Sequence, residues 1–263
     1  MKLGVTYIAF SGLELLKPSI LNIRPFAHHI AVVWSKTSAT GEPIVSYAEN
    51  LLKDLVDSNL IDDLLEYTPK VVTNPQFMQD NCRTKREIGR VSCKNAGCTH
   101  HLIRDCDEFH DPIQLETVLN SLPAVDCSLT RIWEYVDNPN TRLKDISGLY
   151  VPFLQRIDLK LAKFRPFPVI CDMGRTVENV KTWYIYDAKK IVMHHYTFVR
   201  YDELEMKRKY QGHGHCHRIG SLEQFLRWTK RFKPEEMEQV PDYFGILNYW
   251  NGEFQQWISI NPS

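Results

Sequence analysis

The chain lacks a long apolar run. Nowhere in its 263 residues does an uncharged apolar stretch approach the ~18 positions a membrane-spanning helix needs, which argues against a membrane partner. It also lacks a dominant charge: Lys+Arg and Asp+Glu are both 32, so a histone-like coat of one sign is excluded. No G-x-S-x-G elbow, P-loop or G-x-G-x-x-G is present, which argues against an α/β-hydrolase, a P-loop NTPase and a dinucleotide dehydrogenase. Neither an internal repeat nor a low-complexity linker divides it, so a single domain over 1–263 is expected. Its seven cysteines are an odd number without a C-x2-C pair. The first ten residues have the short, polar-interrupted apolar run of a core strand rather than of a secretory signal. Together these features point to a reduced, cytoplasmic protein.

Zero net charge hides an asymmetry. Residues 1–150 carry 15 basic and 19 acidic side chains, whereas 160–233 carry 16 basic and 7 acidic, a local excess of +9 that suits a phosphate-bearing ligand. The apolar pattern predicts a buried strand at 3–10, a helix at 13–23 and a second strand at 30–34. Leu51, Leu52, Leu55, Val56, Leu60, Ile61, Leu64 and Leu65 predict a helix over 46–67. A short strand at Val71-Val72, a helix at 83–96 stopped by Gly97, and a strand at 101–104 follow. Further strands are expected at 183–186 and 191–199, and a helix at 222–232. Alternation of strand and helix predicts an open, mostly parallel α/β sheet flanked by helices, whose ligands bind beyond the carboxyl ends of the strands.

Asp105 and Asp107 fall at that edge. In an extended segment alternate side chains share a side, so the two carboxylates can converge on one hard cation that keeps positions open for diphosphate oxygens. Their context is Lys85-Arg86-Glu87-Ile88-Gly89-Arg90, then Gly97, His101-Leu102-Ile103-Arg104, and Asp105-Cys106-Asp107-Glu108-Phe109. This block resembles the centre of GT-A-fold, family 2-like glycosyltransferases. The likeness covers roughly the first 110 residues, and Cys106 between the acids departs from the usual wording. A second element, Met193-His194-His195-Tyr196-Thr197-Phe198-Val199-Arg200 followed by Asp202 and Lys207, is similar to a late H-H-aromatic-x-x-V-R segment of some GT-A enzymes.

The resemblance implies a Rossmann-like GT-A domain, its first 110 residues holding a nucleotide-diphosphate sugar and residues 111–263 the acceptor. It further implies Mn²⁺ or Mg²⁺ on Asp105, Asp107 and a histidine. His195 is favoured over His194, because strand neighbours face opposite sides. Lys85, Arg86, Arg200 and Lys207 are candidate diphosphate partners, and Tyr7 and Ala9 candidate neighbours of the nucleotide base. An inverting enzyme also needs a carboxylate base, for which Asp172 and Asp158 are open alternatives.

Two clusters permit a different class of function. Gly212-His213-Gly214-His215-Cys216-His217 suits a glycine-hinged lid or a zinc site, and Cys93, Cys98, His100, His101, Cys106 and His110 form a second candidate zinc group. With the basic-aromatic run 225–233, a zinc-stapled nucleic-acid-binding module competes with the transferase. The two readings meet in a phage-type enzyme that glycosylates 5-hydroxymethylcytosine in duplex DNA; a polysaccharide or other glycan acceptor is the alternative.

Overall fold

Leu3–Ala9 forms β1, buried at every position, as a continuous apolar run in the middle of a parallel sheet must be. The computed structural model of the chain describes residues 1–71, 75–162, 167–212 and 221–260. Parallel to β1 on one side runs β2 (His29–Trp34), and on the other β4 (His100–Asp105). The short β3 (Asp63–Glu66) extends the parallel set beyond β2. The order β3-β2-β1-β4 reverses direction at β1, so the chain turns away on both sides there and leaves a crevice at the carboxyl ends of β1 and β4.

The helices α1 (Leu13–Ile23), α2 (Ala48–Asp57) and α3 (Pro75–Asn95) connect these strands. α1 buries Leu13, Leu15, Leu16, Ile20 and Ile23 completely, each contributing about 1.5–3 kcal/mol of hydrophobic stabilisation. Its internal Pro18 has no N–H to give to the carbonyl of Glu14. That carbonyl instead accepts from the Trp250 indole at 3.0 Å, from a helical run over 246–260. α3 lies so close to β1 that a methyl group on Gly89 would sit 2.1 Å from Thr6 Cγ2.

The second half is mixed. β8 (Tyr150–Arg156) is antiparallel to both β4 and the ten-residue β6 (Cys127–Val136). β6 also pairs with β7 (Thr141–Leu143), β9 (Trp183–Ile185) and β10 (Val192–Phe198). β10 pairs antiparallel with β5 (Glu108–His110) as well, and β11 (Met237–Gln239) closes the edge against β7. α4 (Pro112–Asn120) follows β5; α5 (Glu203–Gly212) and α6 (Leu222–Thr229) follow β10. The result is one open α/β sheet flanked by helices, as expected, parallel in its first half and mixed in its second. No helix among the described residues is long and apolar enough to cross a membrane.

Three expectations need correction. The helix expected over 46–67 stops at Asp57. Asn59 takes a left-handed backbone (φ 57°), the N–H of Leu60 returns to the Leu55 carbonyl, and Leu64 and Leu65 belong to β3. Val71 lies outside any strand and is exposed, and Val72 lies outside the described residues. The helix expected over 222–232 ends at Thr229, after which the Arg231 guanidinium folds back 3.9 Å over the Trp228 ring.

Candidate functional site

β1 leads into Ser11-Gly12, where Gly12 adopts φ 76°, a conformation an L side chain rarely holds. The guanidinium of Arg200, just beyond β10, lies within 4 Å of where a Gly12 side chain would begin. The crevice between the ends of β1 and β4 is therefore walled by residues from both halves of the chain.

Asp105 is the last residue of β4. Cys106 and Asp107 then form a turn before β5, so the acids do not share an extended segment and do not simply point to one side. Each has its own set of partners. The Asp105 carboxylate accepts from Arg86 Nη2 at 3.1 Å and Arg175 Nη2 at 2.9 Å. Arg175 also grips the buried Glu108 and contacts Asp172 Oδ2 at 3.0 Å. A methyl group on Gly174 would collide with Arg86 Nη1 at 2.3 Å, so a glycine there lets the two arginines converge on Asp105.

Asp107 is buried. Its Oδ2 accepts from Arg200 Nη2 at 2.6 Å and Lys209 Nζ at 3.0 Å, and its Oδ1 faces His195 Nε2 at 3.4 Å. Burial alone would raise this carboxyl's pKa, but Lys209, His195 and Arg200 outweigh it and hold the group well below the usual range. Behind Arg200 lies Glu14, fully buried. Neither of its oxygens has a hydrogen-bond partner among the described residues, and the nearest Arg200 nitrogen, at 3.7 Å, is too far for one. Burial, then the neighbouring Glu205, pushes the Glu14 carboxyl up to about 8. Glu205 in turn accepts from the Tyr47 hydroxyl at 2.9 Å.

A divalent cation can be tested against this donor set. Two oxygen or nitrogen ligands of one such ion, each about 2.1 Å away at right angles, stand about 3 Å apart. Asp107 Oδ1 and His195 Nε2, at 3.4 Å, fit that spacing. Asp105 is turned to its arginines, and no group of three or more His, Cys, Asp or Glu side chains among the described residues is placed to hold a metal ion.

The other expected site residues separate clearly. Lys85, on α3, is buried and donates at 2.7 Å to the Oγ of Ser35, just beyond β2; desolvation lowers its pKa. Lys207 is exposed, and Lys209, two positions on, takes the inward place. Asp172 joins the Arg175 network at its solvent edge. Asp158 is a correction: it pairs with exposed Arg156, which stands opposite His100 at the start of β4, a strand length of roughly 16 Å from Asp105. Tyr7 and Ala9 are also corrected, because both are wholly buried; the Tyr7 hydroxyl meets Ser19 and Arg104, so neither offers a surface to a base.

His194 is buried against Tyr135 at 2.8 Å, so of the two histidines His195 alone reaches Asp107. The candidate zinc group at 93–110 is dispersed: His101 is bound to Thr6 and Gln155, His110 to Arg104, and Cys93 packs beside Cys98. His213, His215, Cys216 and His217 lie outside the described residues.

Sequence reasoning missed Arg175, Lys209, Glu14 and Glu205. Two of these needed only a helical wheel. Glu205 and Lys209 are four residues apart on α5 and share its inward face, whereas Lys207 points away.

No protein-family model matches the chain, and no curated protein matches it. Among solved structures it is similar to S. aureus TarS residues 1–349, at 12% identity and TM-score 0.45, over 98% of this chain and 78% of that one. A longer S. aureus TarS structure matches at 10% identity and TM-score 0.33, over 52% of this chain and 22% of that one. Mannose-1-phosphate geranyltransferase from Thermus thermophilus matches at 10% identity and TM-score 0.30, over 93% of this chain and 68% of that one. The chain thus spans under a quarter of the longer TarS chain, and likenesses this loose assign no activity.

Proposed function

We propose that the chain is a glycosyltransferase taking a nucleotide-diphosphate sugar as donor, with residues 1–110 serving the donor and 111–263 the acceptor. One observation carries this reading. At the crevice where strand order reverses, two ionic clusters flank one turn: Asp105 with Arg86 and Arg175, and Asp107 with His195, Arg200 and Lys209. Preorganised cations of this kind suit a departing diphosphate, whose charge grows as the bond to the sugar breaks.

Arg86, Arg200, Lys209 and, deeper, Lys85 are the diphosphate partners in this reading. Asp107 Oδ1 and His195 Nε2 would hold a Mn²⁺ or Mg²⁺ ion, whereas Asp105 is committed to its arginines. When bound, such an ion supplies Lewis-acid stabilisation of the leaving diphosphate. Asp172, at the solvent edge, is the base candidate that stays with the site.

A hydroxymethylcytosine acceptor in duplex DNA has less support than a glycan. Of the basic side chains of 160–233, Arg175, Arg200 and Lys209 are buried and form no surface for a duplex, and Arg208 and Arg227 pair with Glu205 and Glu223. The aromatic run is likewise structural: Phe225 is buried and Trp228 packs on Phe198.

Release of nucleoside diphosphate from a panel of nucleotide sugars, with Mn²⁺, Mg²⁺ or chelator, tests the reading. Turnover that Asp107→Asn abolishes is expected. Absence of binding and turnover for every donor refutes it. Adding glycans and hydroxymethylcytosine DNA as acceptors decides between those classes.

A further inference from the structure

Beyond the carboxyl ends of β6 and β10, against α5 and α6, lies a cavity of about 280 Å³. Phe198, Phe232 and Met206 give it apolar walls; Asp137, Asp202 and Glu203 bring three carboxylates. Arg200 also lines it, and the same guanidinium holds Asp107 at 2.6 Å, so the cavity and the ionic network share a wall. Phe198 follows His195 by three strand residues, roughly 10 Å along β10. A register irregularity between them breaks the pairing with β6 just before this wall.

Asp137 is held there at a cost. It sits at φ 68°, and the N–H of Asn138 donates to the Val136 carbonyl at 2.7 Å across it. That is a three-residue turn with a left-handed centre, an uncommon and strained form. Among the described residues its carboxylate accepts one side-chain hydrogen bond, from Asn138 Nδ2 at 3.5 Å. Asp202, by contrast, already spends an oxygen capping α5 through the N–H of Glu205.

We infer that this cavity is the acceptor subsite of the proposed transferase, and that it takes a neutral, polyhydroxylated acceptor, a sugar ring. An aromatic wall suits the C–H face of such a ring, and carboxylates accept from its hydroxyls. Three carboxylates against Lys230 and an Arg200 already paired with Asp107 repel a phosphate-bearing acceptor. Asp137 accepts an acceptor hydroxyl. The inference rests on the transferase reading for the word acceptor, but the binding chemistry is tested apart from it.

The test is saturation-transfer NMR on the full chain with neutral disaccharides (cellobiose, maltose and N,N′-diacetylchitobiose) and a 12-base-pair DNA duplex, alongside donor turnover. Asp137→Asn removes the charge while keeping a residue type that tolerates the left-handed backbone, so the fold persists. At least one disaccharide should bind, with affinity reduced roughly tenfold or more by Asp137→Asn, and the duplex should not compete. No disaccharide signal, a signal unchanged in Asp137→Asn, or displacement by DNA overturns the inference. Donor turnover without disaccharide binding overturns it while leaving the transferase standing; disaccharide binding without turnover of any donor sinks only the transferase.

Discussion

The two ends of the parallel strands are built on opposite terms. At the amino end the seal is steric: a methyl group on Gly4 would lie 2.5 Å from Cys93 Cβ, and the charges there, Arg156 and Asp158, pair in solvent. At the carboxyl end the strands run into buried charge: Asp107, Arg200, Lys209, Arg175 and Glu108 are all buried and all paired. Apolar packing would fill that space at lower cost, since desolvating ions offsets much of what their pairing returns. Under the proposed reading, the carboxyl end, with its denser buried charge, is the one that faces the donor.

The largest expected effect breaks the carboxyl end. Asp107→Ala strands Arg200 and Lys209 without their counter-ion, and should cost about 3–5 kcal/mol in a urea titration along with donor binding. A loss no bigger than that of an Asp158 change would erase the contrast between the ends. Next, Gly4→Ala forces Cys93 to shift and should cost about 1–3 kcal/mol while leaving donor binding intact; altered binding would show that the ends are coupled.

The third test sharpens the comparison through pH. Folded Glu14, held up to about 8, binds a proton that the unfolded chain, near the ordinary glutamate value of about 4.3, has released. It therefore lowers stability progressively as pH rises from about 4.5 to about 8. Asp107 has the opposite sign: its contribution is present above the ordinary aspartate range and lost as pH falls through its depressed value. Glu14→Gln should flatten the fall in Tm between pH 5 and 8; an unchanged slope removes Glu14 as its source. The smallest effect is that of Asp158→Asn, which should leave Tm and donor turnover unaltered, because its partner is exposed.

Much of the first half was legible because buried parallel strands leave continuous apolar runs; β1, α1, β2 and β4 fall where the pattern puts them. The helix over 46–67 failed because Leu60, Ile61, Leu64 and Leu65 continue the helical spacing through a turn and into a strand. The break is a backbone conformation at Asn59, which no hydrophobic period reports. Asp105, Asp107 and His195 stood out as chemistry-bearing types, and Asp107 and His195 do meet. That Asp105 belongs with Arg175, or Asp107 with Lys209, depends on partners 70 and 102 positions away, which local patterning cannot join. Asp158 was misplaced for the same reason, since a carboxylate near the basic half can lie at either end of a strand.

The ties of Asp107 to Arg200 and Lys209 have a kinetic meaning. They close loops of 93 and 102 residues, and β10, which leads to both cations, must first dock on β6, some sixty residues before it. Contacts this distant along the chain form late and slowly, because the entropy of closing such loops is lost before the contact returns anything. The β1–β2–β3 layer can collapse early on pairings only 25 and 32 residues apart, whereas the ionic network waits for the second half. On refolding, recovery of donor binding should lag behind recovery of strand structure, and maturation of the site becomes the slow step of the molecule's own assembly.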